Sequence, residues 1–146
     1  MQNFTIDCAW ALLCKQSIIN QESGNISLIE VLEEITVPNR IDDKAPFIFF
    51  DFDLVVYWKK QASLEKDEYI FKLKIVSPSQ ELLLEGERTI DFEEESRVFT
   101  VLEFAGFPVP EPGVYKFHIQ LPNDHGTEWE DVELVELLVY YDELEL

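Results

Sequence analysis

The residues able to do nucleophilic or acid–base chemistry are few in this sequence and scattered along it. Histidine occurs twice, His118 between Lys116 and Gln120 in an alternating stretch and His125 in a Gly-bearing turn. Catalysis needs a nucleophile or base held by partners, and neither histidine has a carboxylate or cysteine at a spacing that makes such a set. Surface and turn roles are expected for both. Cys8 and Cys14 share one parity of an alternating stretch with Trp10, a pattern that predicts inert core thiols. In one extended strand their Cα atoms lie roughly 20 Å apart, beyond the reach of about 7 Å for a disulfide. Free thiols suit a reducing compartment, and a cytoplasmic location is expected. No spacing supports a Cys–His zinc site. The expectation is a protein that is not an enzyme, with no catalytic residue, no metal ligand set and no cofactor.

Carboxylates are the abundant chemistry. Thirty Asp and Glu stand against 11 Lys and Arg, for a formal net charge of -19. Such a field opposes phosphate backbones and anionic lipid, so neither direct nucleic-acid binding nor membrane binding is expected. Glu128 to Leu146 holds eight carboxylates and no Lys or Arg. Contact residues are placed there: Trp129, flanked by Glu128 and Glu130, with Glu133 and Glu136 further on, as an acidic docking face for a basic protein partner. A second reading makes the same region an acidic inhibitor that imitates a nucleic-acid backbone and binds a basic nucleic-acid-binding protein. The bland reading is a solvated strand face with a frayed acidic tail. A third reading is a calcium- or carbohydrate-binding sandwich. Asp51 and Asp53 project from one strand face roughly 6 to 7 Å apart, and Asp42–Asp43, Glu93–Glu95 and Asp124 sit in loops that could converge at one edge. No EF-hand-like loop accompanies them. Tyr57 is a further aromatic contact if exposed, whereas Trp10 and Trp58 lie on apolar parities and are expected in the core.

The elements that must carry these residues are strands. Ile6, Cys8, Trp10, Leu12 and Cys14 alternate, as do Ile48 to Trp58, Tyr69 to Ile75, Val98 to Phe104 and Tyr115 to Leu121. Asn20 to Asn25, Ser77 to Ser79 and Pro122 to Gly126 supply turn chemistry. Leu82 to Phe92 reads as a strand with a bulge or close backbone approach at Gly86. Phe107 to Gly113 reads as a proline-stiffened crossing outside any sheet. Two segments stay open between strand and helix. Ile26–Val37 carries a Ser27/Glu30 capping box as well as β-branched alternation, and Val132–Tyr141 is apolar on both parities; strands are favoured for both.

With 47% hydrophobic and 13% aromatic residues over 146 positions, the chain can bury one core. No repeat or composition break divides it, so residues 1–146 are expected to form one domain. No Lys or Arg precedes Lys15, so a secretory leader is not expected. No apolar run approaches the ~18 residues that span a bilayer. The fold class is all-β: a single antiparallel β-sandwich of about eight strands, immunoglobulin-like or C2-like. Cys8, the Gly24-bearing hairpin into Asn25–Val31, the Val37–Pro38 end and Pro112-Gly113-Val114-Tyr115-Lys116-Phe117 together resemble an uncharacterised bacterial domain-of-unknown-function family of short β-sandwich proteins. That resemblance implies the fold and carries no chemistry. The functional expectation is a non-enzymatic, acidic, cytosolic protein-interaction module.

Overall fold

The computed structural model describes residues 6–38, 46–60 and 66–142. Nine strands run through them: β1 (Ile6–Ile19), β2 (Ile26–Val31), β3 (Glu34–Pro38), β4 (Phe47–Lys60), β5 (Glu68–Val76), β6 (Leu82–Asp91), β7 (Arg97–Pro108), β8 (Gly113–Pro122) and β9 (Trp129–Asp142). They form a four-stranded sheet ordered β2-β1-β4-β7 and a five-stranded sheet ordered β3-β9-β8-β5-β6. The orders β1-β4-β7 and β9-β8-β5-β6 follow the A-B-E and G-F-C arrangement of immunoglobulin sandwiches, extended by an extra strand at β6. Nothing among the described residues takes the place of a D strand beside β7.

Two parts of the expectation change. The described residues form nine strands, and the sandwich is mixed rather than antiparallel, because β3 pairs in parallel with β9. Both follow from Ile26–Val37, which forms two strands divided between the sheets, with Leu32 and Glu33 between them. Ile29 and Val31 face solvent beside β1, whereas Leu32, Ile35 and Val37 are buried. No single straight strand can send these two sets to opposite surfaces, and Glu33 marks the break in alternation. Glu30 takes a positive φ of 52° just before it. Leu32 N then donates to Leu13 O, and Leu138 N to Glu33 O, which carries the chain from one sheet to the other.

A second correction concerns β1. Cys8 lies opposite Trp58, but Trp10 lies opposite Tyr57, so a β-bulge at Ala9 inserts one residue. Because side chains alternate with period two, one extra residue reverses every position beyond it. Ile6 and Cys8 face inward before the bulge, and Ala11 and Leu13 do so after it. Trp10, Leu12 and Cys14 face outward instead of into the core.

The core between the sheets is built as the patterning predicts elsewhere. Phe52, Leu54, Val56 and Trp58 of β4 meet Phe71 and Ile75 of β5 and Tyr115, Phe117 and Ile119 of β8, all 1% exposed or less. The first strand, which its alternation predicts to begin near Phe4, is described from Ile6 onward. Trp58 packs 5.3 Å from Phe71 by ring centroids, and its buried indole N–H has no partner among the described residues. Phe107 and Pro108 belong to β7 rather than to a crossing, paired with Ile48 and Phe47. A proline is tolerated there because β7 is an edge strand. The Ile26–Val37 and Val132–Tyr141 alternatives both resolve as strand.

Candidate docking edge and groove

The sequence-predicted contact residues do not share a face. Glu128 lies in the β8–β9 turn, where its carbonyl accepts the Asn123 N–H. Trp129 is half-buried on the outer face of the five-stranded sheet, with the Lys72 ammonium 4.7 Å from its ring. Glu136 shares that outer face, opposite Lys116. Glu130 and Glu133 instead lie opposite Leu121 and Ile119, on the core-facing parity. β9 is also an interior strand, flanked by β3 and β8, not the outer strand that a continuous acidic docking face requires. A register shift between Ile119 and Gln120 divides the run, so carboxylates of one sequence stretch point both ways.

His118 has a carboxylate partner that the linear pattern hides. Its Nδ1 lies 2.9 Å from Asp131 Oδ2, and Gln120 Nε2 donates to Asp131 Oδ1 at 2.8 Å. The three residues stand on the outer face of the sheet, and none of them lines either concavity described below. Among the described residues no nucleophile completes them into a triad. His125 sits exposed in its turn. Asp53 accepts from Ser17 N and Oγ at 3.1 and 2.9 Å, so it serves as a local clamp between β4 and β1. Among the described residues no three His, Cys, Asp or Glu side chains come together as a metal group. Asp42 and Asp43 lie outside those residues.

Both cysteines are free. Cys8 faces the core, and burial, with Glu133 adding, pushes its thiol from 9.0 up to about 12. Cys14 is buried on the outer face, where burial and then Asp53 raise it. The rise at Cys8 cuts its thiolate fraction near pH 8 about a thousandfold, and the thiolate is the reactive form. In the native protein, labelling by a thiol-specific disulfide reagent is therefore expected to be about a thousandfold slower at Cys8 than in urea-unfolded chain. Prompt labelling without unfolding would contradict the burial.

A further feature lies on the side of the sandwich where the described residues supply no D strand. Among the described residues β6 and β7 are free edges of their sheets, and a groove of about 380 Å³ opens between them. Leu73, Leu84, Leu102 and Phe104 supply its apolar lining, and Arg88 stands at the wall. Leu84 and Arg88 lie opposite Ile75 and Phe71 and so have core-facing parity. Leu84 is nevertheless 38% exposed, because no strand of the other sheet among the described residues covers it. Gly86 belongs to the same row. The expected bulge there is absent; the register shift falls between Ile75 and Val76. A Cβ on Gly86 would meet only Arg88 Nη1 at 3.7 Å, so nothing approaches it closely. Its role is to leave the groove open.

The outer face of the four-stranded sheet adds cross-strand rows next to this edge. Trp10, Tyr57 and Phe99 form one row, with Tyr57 stacked on Phe99 at 4.6 Å and Trp10 5.5 Å from Tyr57. Leu12, Val55 and Val101 form the next. Flanking these apolar rows are like charges directly opposite one another: Lys59 against Arg97 at one end, Asp53 against Glu103 at the other. A second concavity of about 650 Å³ at one end of the sandwich is lined by Ile6, Tyr69, Ile70, Thr89 and Asp124 among others. Lys66 and Glu68 also line it, and no hydrogen bond or ion pair joins their side chains to each other or to Asp124.

The linear pattern gives no sign of the groove, because a missing neighbour leaves no mark on the strands that would have flanked it. No helix among the described residues is long and apolar enough to cross a membrane. No protein-family model matches the chain, and no curated protein matches it. Among solved structures the chain is similar to an immunoglobulin-like protein from Pseudomonas aeruginosa, with 12% identity, a TM-score of 0.42 and coverage of 92% of this chain and 95% of that one. It is also similar to the C-terminal domain of wzt, with 13% identity, a TM-score of 0.45 and coverage of 95% of this chain and 75% of that one. At these identities the likeness is one of all-β architecture alone.

Proposed function

We propose that this chain is a non-enzymatic protein-interaction module that receives an extended partner segment in the position of the missing strand, beside β7 and over Leu84 and Gly86. The observation that carries this reading is the apolar groove lying between two sheet edges that no strand among the described residues pairs. An unpaired edge offers backbone donors and acceptors to an incoming strand, and alternate side chains of that strand would drop between the sheets. The wide dispersal of the β9 carboxylates favours a solubilising role for the net charge over an acidic docking face or an imitation of a nucleic-acid backbone.

Gly86→Trp tests it. Position 86 has room for a side chain, so the variant is expected to fold with an unchanged melting temperature while its indole fills the groove. Affinity capture from the native host should then lose, with the variant, partners retained by the wild type. Capture of the same partners at equal yield by a folded Gly86→Trp protein would refute the groove as the binding site.

A further inference from the structure

We infer that the strand which fits beside β7 is β7 of a second copy of this chain, paired antiparallel about a two-fold axis through Thr100. The inference rests on the reading of β7 as a docking edge and adds the identity and register of the occupant.

β7 runs for 12 residues with no proline before its last position, and among the described residues one side of it is unpaired. Free edges in stable proteins are normally shortened, kinked or covered, since they otherwise pair with another chain. A two-fold axis perpendicular to a sheet maps its outer face onto itself. Directly opposed residues in an antiparallel ladder point to the same side. Only registers centred on a residue therefore keep outer side chains opposite outer ones.

Charge then selects among those registers. Centred on Thr100, the ladder sets Arg97 against Glu103 of the partner subunit, twice over by symmetry, and Phe99 against the partner's Val101. On the inner side Val98 meets the partner's Leu102. Centring on Phe99 would instead oppose Glu103 to Glu95, and centring on Val101 would oppose Glu103 to Phe99 and Arg97 to Ala105. The Thr100 register alone among these forms ion pairs and opposes no like charges.

The residues that would form those pairs are poorly matched within one chain. Arg97 lies opposite Lys59 and Glu103 opposite Asp53 on the same sheet face. Like charges facing each other across a ladder are destabilising. A second copy places an opposite charge on the free side of each, relieving both rows. It also continues the Trp10–Tyr57–Phe99 row into Val101, Val55 and Leu12 of the partner subunit. An isologous contact of this kind closes as a dimer and does not propagate into fibres.

The test is sedimentation equilibrium of the full chain at about 0.15 M salt, where the Debye length of ~8 Å limits long-range repulsion between two acidic copies. Wild type is expected to show a concentration-dependent monomer–dimer equilibrium. Arg97→Glu and Glu103→Arg each replace two attractive pairs by two repulsive ones, and each should weaken the dimer about tenfold. The double variant restores the pairs and should return the dissociation constant to near the wild-type value. Both side chains are exposed, so the fold should persist, as circular dichroism would check. Thr100→Cys should form an intersubunit disulfide under mild oxidation, because only this register brings position 100 against itself. A wild type that stays monomeric at millimolar concentration would overturn the inference. So would a double variant as weak as the singles, or a dimer in which Thr100→Cys fails to cross-link. A monomeric wild type whose captured partners are still lost with Gly86→Trp would sink the second copy while leaving the docking groove intact; Gly86→Trp without effect beside a charge-swap rescue would do the reverse.

Discussion

Phe117→Ala is expected to lower the unfolding free energy by about 3 to 5 kcal/mol, a large part of the ~5 to 15 kcal/mol that holds a domain of this kind together. Phe117 is fully buried on β8. Its ring lies 6.2 Å from Phe104 in an edge-on contact and 6.3 Å from Phe107, so it fastens the five-stranded sheet to β7 of the other. Phe104 stacks on Phe52 at 5.0 Å, which extends the contact into β4. In antibody domains the residue two positions after the corner tyrosine is a cysteine of the inter-sheet disulfide. Here that position is Phe117, and both cysteines lie on β1. An aromatic cluster therefore does the cross-sheet work without a covalent bond. In urea titration the variant's midpoint should fall with an unchanged slope, since the surface exposed on unfolding is nearly the same. A loss below about 1 kcal/mol would mean that the cluster repacks around the vacancy, as well-tolerated core substitutions do.

Tyr115→Phe should cost about 2 to 3 kcal/mol although it removes a single oxygen. The Tyr115 hydroxyl donates to Glu111 O at 2.6 Å and accepts from Glu111 N at 3.1 Å. This is the tyrosine corner of immunoglobulin sandwiches, in which a tyrosine near the start of strand F ties down the preceding crossing. Without it both backbone groups of Glu111 lose their partner. Tyr141 reinforces the crossing from β9, its hydroxyl donating to Val109 O at 2.5 Å. Gly113, with φ of 131°, turns the chain into β8 where a Cβ would strike Pro78 at 2.9 Å.

The same hydroxyl gives the prediction a pH signature. Burial pushes Tyr115 from 10.0 up to about 12, with Tyr141 and Glu111 adding to the rise against the backbone hydrogen bond. A group whose folded pKa exceeds its unfolded value contributes fully below the unfolded value and loses that contribution as pH rises. Stability of the wild type should therefore fall between about pH 10 and 12. Tyr115→Phe, starting lower, should fall less steeply over that window. Parallel alkaline profiles for the two proteins would show that the Tyr115 proton is not coupled to folding.

Much of the fold is legible in the order of the residues. Period-two alternation places β4, β5 and β8, because a strand with one buried face must repeat every second residue. Turn residues at Asn20–Asn25 and Pro122–Gly126 place the hairpins, because their chemistry is local: Asn20 Oδ1 accepts from Glu22 and Ser23 N–H, and Asn123 Oδ1 from Thr127 N–H. The Pro112–Phe117 run stands out as a pattern, yet its role as a corner depends on where the Tyr115 hydroxyl ends, four residues back across a turn.

Residue types and their spacing along single strands suffice for the class of the fold, its extended segments and its acidic character. What depends on neighbours was settled by the packing of the strands. One bulge at Ala9 turned Trp10 and Cys14 outward, a crossing at Glu33 split one segment between two sheets, and a register shift in β9 dispersed the carboxylates that are continuous along the chain. Packing also paired His118 with Asp131 and, among the described residues, left one side of β7 unpaired. Each of these is a relation between strands distant along the chain, set by which ladder closes against which, and periodicity within a single strand carries no information about the strand beside it.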